Sequence, residues 1–95
     1  MLNKDTYSKI IEAINIYNKY RMREAEAELI DINNSEVIIR FTGSFCYTCG
    51  VRDWIEDLKY ILLDLGIENE LINVIEESDN SRIGVFRLIH KGEHT

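Results

Sequence analysis

The spacing of apolar residues changes period three times along this chain, and each change limits what it can fold into. Tyr7, Ile10, Ile11, Ile14 and Tyr17 recur every three or four positions, which lays one apolar stripe along a helix. Asn3 or Asp5 stands where the N-cap of that helix belongs. Ile16 and Tyr20 fall off the stripe. The period then becomes two: Ala25, Ala27 and Leu29 alternate with Glu24, Glu26 and Glu28, and Ile30-Asp31-Ile32 continues the run. Asn33-Asn34-Ser35 marks a tight hairpin, because Asn tolerates positive φ. Val37, Ile39 and Phe41 then alternate with Ile38, Arg40 and Thr42 as a second strand. From Val51 the helical period returns through Trp54, Ile55, Leu58, Ile61, Leu62 and Leu65, and Gly66 sits where a left-handed cap is expected. Residues 71–76 and 82–90 read as two further strands around a turn at 78–81.

The resulting order, α-β-β-α-β-β, predicts an α+β protein. Its architecture is a two-layer α/β sandwich, with two helices on one face of a small mixed sheet and a single domain over residues 1–95. The second and third strands are joined through a helix, so they should be parallel neighbours or be separated by another strand. The fourth carries apolar residues on both faces, namely Ile83, Val85, Phe86, Leu88 and Ile89. At a sheet edge such a strand is adhesive, which predicts a homodimer or higher oligomer formed through this strand or the sheet face.

Composition removes several function classes. With 45% hydrophobic residues, the chain is too apolar to be a disordered tail. Eleven Lys and Arg against 17 Asp and Glu leave a net charge of −6, which opposes general nucleic-acid binding. The short basic run Lys19, Arg21 and Arg23 reads as a helix end, where cations suit the dipole. No apolar run approaches the roughly 20 residues that span a bilayer, and the first residues lack the apolar core of a secretory signal. The expected setting is the cytoplasm, with no membrane contact and reduced thiols. Carboxylates paired for acid–base work need a cleft. No motif here builds one, so no residue is assigned as catalytic and the chain reads as a binding protein.

Cys46 and Cys49 are the only cysteines, too few for a disulfide framework but spaced as C-x-x-C in the loop Gly43-Ser44-Phe45-Cys46-Tyr47-Thr48-Cys49-Gly50. The pair lies between the end of a strand and the start of a helix. Backbone N–H groups at a helix N-terminus favour thiolate over thiol. The spacing also lets both sulfurs address one atom, so a metal or a disulfide is allowed. Gly50 after the second cysteine matches the knuckle turns of zinc ribbons and rubredoxins, where a glycine takes positive φ. A tetrahedral site needs four ligands. His90 and His94, the only histidines, give an intrachain Cys₂His₂ set with zinc, and two copies of the chain give four thiolates. Two buried structural thiols and a thiol–disulfide redox pair remain as other readings of the same motif. Tyr47 between the cysteines suits a partner contact or a packed turn, and Trp54 is expected in the core.

Over about residues 7–75 the chain resembles the NifU-like C-terminal domain, an iron–sulfur scaffold. The matching stretches are Ala27-Glu28-Leu29-Ile30-Asp31-Ile32, Val37-Ile38-Ile39-Arg40-Phe41-Thr42-Gly43 and Cys46-Tyr47-Thr48-Cys49, with a helix before and after. The resemblance implies that Cys46 and Cys49 ligate a [4Fe–4S] cluster shared between two chains, that Gly43 and Gly50 shape the loop, and that partner proteins accept the cluster. Three differences stand out: Ser44 and Phe45 lengthen the glycine-to-cysteine spacing, Gly50-Val51 replaces the family's Pro-Ser, and the strand 82–90 is additional. A thioredoxin-like reading fits less well. That site faces its cysteines with a cis-proline, and this chain contains no proline.

Overall fold

The computed structural model describes residues 4–21, 24–33, 35–43 and 51–89. Its elements are α1 (Lys4–Arg21), β1 (Glu26–Ile32), β2 (Glu36–Thr42), α2 (Val51–Asp64), β3 (Asn69–Ser78) and β4 (Ser81–Leu88). The order is the one the changes of period dictate, and the class is α+β. α1 packs on α2 and β1, and α2 packs on β3, so both helices cover one face of a four-stranded sheet.

The sheet is antiparallel throughout rather than mixed, with strand order β1-β2-β4-β3. The cause is the β3–β4 hairpin. It turns at Asp79 and Asn80, and its returning strand, not its first, docks on β2. β2 and β3 therefore run in the same direction but are separated by β4, the second of the two arrangements expected. β4 is consequently a central strand, paired on both sides, and not an adhesive edge. Its two apolar faces follow from that position: Phe86 and Leu88 are buried in the core, while Ile83 and Val85 alternate with them on the side away from the helices.

One core unites the layers. α1 contributes Ile10, Ala13, Ile14 and Tyr17, β2 contributes Val37, Ile39 and Phe41, and α2 contributes Ile55, Leu58 and Leu62. Tyr7 does not join them; it is 45% exposed, and Ala13 completes the stripe in its place. In β1 the register shifts between Leu29 and Asp31. That bulge turns Ile30 outward and returns Ile32 to the core side, so three consecutive residues break strict alternation without losing the strand. Asn33 closes the hairpin: its Oδ1 accepts from the N–H of Ser35 at 2.8 Å and of Glu36 at 2.9 Å. α2 ends in a Schellman motif, with Ile67 N–H donating to Leu62 O and Gly66 N–H to Leu63 O, and with Gly66 at φ 89°.

Candidate functional site

The C-x-x-C segment is bounded by two well-placed ends. β2 finishes at Thr42 and α2 begins at Val51, so residues 44–50 join a strand to a helix. Cys46, Cys49 and Gly50 lie outside the described residues, as do His90 and His94. Gly43, the last described residue before them, sits at φ 144°. A Cβ there would overlap the Glu24 carbonyl oxygen and stand 2.9 Å from its carbon. Its N–H donates to Asn80 O at 3.0 Å. Gly43 is thus held between the residues leading into β1 and the β3–β4 turn, and only glycine fits.

The other end is held by aromatic and ionic contacts. Tyr17 is fully buried, and its hydroxyl donates to Trp54 O at 2.9 Å, across α1 and α2. The Arg21 guanidinium lies 4.6 Å from the centre of the Trp54 ring and pairs with Asp57 one turn further along α2. Trp54 is half-buried against the core, as its spacing predicts. Arg21 is therefore committed to α2, Lys19 is exposed, and Arg23 lies outside the described residues. Arg52 donates to Leu71 O at 3.3 Å and pairs with Glu56 at 3.4 Å, tying the first turn of α2 to β3.

Among the described residues, no group of three or more His, Cys, Asp or Glu side chains is placed to hold a metal ion. Cys46 and Cys49, the donors the sequence offers, lie outside those residues, as do His90 and His94. Two thiolates are half of a tetrahedral set, and the chemistry of the pair fits a metal or cluster only where two further donors join it.

Arg40 binds Glu77 and Glu28 on the outer face of the sheet. The hydrogen bonds from Arg40, then the one from Ser81, hold the Glu77 carboxyl below its ordinary range, and the same pairs raise Arg40. Sequence spacing did not reveal this network, because Glu77 stands 37 positions from Arg40. The one available signal was Arg40 itself, a lone cation in an apolar strand. No helix among the described residues is long and apolar enough to cross a membrane. No family model, curated protein or solved structure matches the chain, so a functional reading rests on its own residues.

Proposed function

We propose that the chain is a small iron–sulfur or metal carrier that binds through Cys46 and Cys49, with a second copy supplying the other two thiolates. The observation that carries the reading is the junction: a strand end fixed at Gly43 and a helix start at Val51 bracket the C-x-x-C segment. Gly43 gives the segment a fixed origin. The N-terminal N–H groups of α2 favour the ionised thiols that ligation needs. A [4Fe–4S] cluster held by four thiolates would supply transferable iron and sulfide, and zinc is the alternative occupant. The setting is a reducing cytoplasm, and the recipients are protein partners. Purification under anaerobic conditions, with elemental analysis and a visible spectrum, tests the proposal. A brown protein whose absorbance disappears in Cys46→Ser supports it, and a colourless, metal-free protein sinks it.

A second reading is a dimerising interaction module in which the cysteines are structural. It is favoured by the sheet face opposite the helices. There Ile38 pairs with Val85, and Ile83 pairs with Ile75, which is 46% exposed. Outward positions of a one-sided antiparallel sheet are ordinarily polar. Under this reading Val85→Lys abolishes a dimer seen by light scattering, while Cys46→Ser leaves it intact.

A further inference from the structure

The strand order leaves β1 and β3 as edges. Register shifts at two places interrupt β3, between Leu71 and Asn73 and between Glu76 and Ser78. β1 has one such shift, between Leu29 and Asp31, and is regular from Glu26 to Leu29. Its free edge is not bare. Asn18 of α1 donates from Nδ2 to Ala27 O at 3.1 Å and accepts from Ala27 N–H at 2.6 Å. One side-chain amide thus takes the donor and acceptor places of a neighbouring strand's peptide group. These bonds also show that the polar groups of Ala27 point away from β2. The two-residue period of a strand gives Leu29 the same direction.

Beside this edge runs an open groove of about 450 Å³ between α1 and β1, lined by Ile11, Ile14, Asn15 and Asn18 on one side and by β1 from Glu26 to Leu29 on the other. An edge strand flanked by a helix is the geometry in which extended peptides add as strands, with main-chain hydrogen bonds for affinity and side-chain contacts for choice. We propose that this groove takes an extended basic peptide segment of another protein as a fifth strand next to β1, displacing the Asn18 amide from Ala27.

Charge selects the occupant. β1 carries Glu26, Glu28 and Asp31 and no cation, and Glu24 precedes it. A second copy of β1 would place acidic side chains against acidic side chains, which is unfavourable across a strand pair. A segment with Lys or Arg at alternate positions reverses that sign. Exchanging the Asn18 amide for a peptide group conserves the number of hydrogen bonds at Ala27, so the exchange itself is nearly balanced.

The test is a titration of the isotope-labelled chain, at low salt, with the capped pentapeptide Lys-Val-Lys-Val-Lys and with its counterpart Glu-Val-Glu-Val-Glu, followed by amide chemical shifts. The expected result is saturable shifts at the Ala27 and Leu29 amides and at the Asn18 side chain with the lysine peptide alone. Glu26→Lys should weaken that binding by about threefold to tenfold, and Asn18→Ala should tighten it by removing the competing amide. The wild-type and Glu26→Lys titrations decide the question even where Asn18→Ala fails to fold. Equal binding of the two peptides, shifts centred on Ile38, Ile83 and Val85, or no shift at millimolar lysine peptide would each overturn the proposal.

Discussion

Arg40 reaches across β4 to hold Glu77 with two parallel hydrogen bonds, Nε to Oε1 at 2.8 Å and Nη2 to Oε2 at 2.9 Å. The same guanidinium donates to Glu28 Oε1 at 3.1 Å. One side chain on β2 therefore ties β1 on one side to β3 on the other, over a central strand that supplies no charge to the contact. Glu77 falls within the register shift between Glu76 and Ser78. A bulge re-aims the side chains beside it, which accounts for a carboxylate turned toward a cation two strands away.

This pairing gives the fold an acid-sensitive element. The Glu77 carboxyl is held below its ordinary range in the folded chain, so the unfolded chain binds its proton more readily. The stabilisation is complete above the ordinary carboxylate range and is lost as pH falls through the lowered folded value. Arg40 stays charged throughout. Melting temperatures measured from pH 7 down to pH 3 should fall less steeply in Glu77→Gln than in the parent chain. Parallel declines would mean that the ion pair contributes nothing to acid sensitivity.

Gly43→Ala should be destabilising by about 1–3 kcal/mol, because it combines a left-handed backbone with an overlap on the Glu24 carbonyl. Gly43→Asn should do no better, since the overlap comes from the Cβ that both side chains share. Urea unfolding followed by circular dichroism measures both. If asparagine restored stability, the backbone angle rather than the close approach would be the constraint.

The element order was legible because burial imposes a period, and the period is written in side chains such as Ile55, Leu58 and Leu62. The cap at Gly66 was legible for a similar reason: its requirement is local. The insertion of β4 between β2 and β3 was not, because strand order is decided by which face and edge pair best after the hairpin has formed. No local pattern around Ile83 or Val85 encodes it. The bulge at Ile30 was hidden in the same way, since an unbroken Ile30-Asp31-Ile32 run fits either register. As for the candidate site, the sequence located its two ends at Gly43 and Val51. The contacts that fix those ends, from Glu24, Asn80, Tyr17 and Arg21, come from residues remote in the chain and carry no motif.

Trp54 is the only tryptophan, so it reports directly on the clamp between the helices. Arg21→Gln removes the stacked cation and the partner of Asp57. Both groups are partly exposed, so the loss should be modest, about 1 kcal/mol. The emission maximum should move to the red as the ring gains water. Tyr17→Phe keeps the buried ring and removes the hydrogen bond to Trp54 O, at a cost of about 1 kcal/mol. An unchanged emission spectrum in Arg21→Gln would show that the cation does not cover the ring.

The strongest constraint on the proposed metal site is that one chain supplies only two thiols. If four thiolates hold one [4Fe–4S] cluster, the loaded protein should carry about two irons per chain and run as a dimer. Binding should then depend on chain concentration, with iron and dimer lost together on dilution. Mixing parent chain with Cys46→Ser chain before reconstitution separates this arrangement from a site completed within one chain. In a shared site, mixed dimers hold three thiolates and are poor ligands, so the iron bound per parent chain should drop as the serine variant is added. In a site completed by His90 or His94, each parent chain binds independently of its neighbours, and the iron bound per parent chain should stay constant at every mixing ratio.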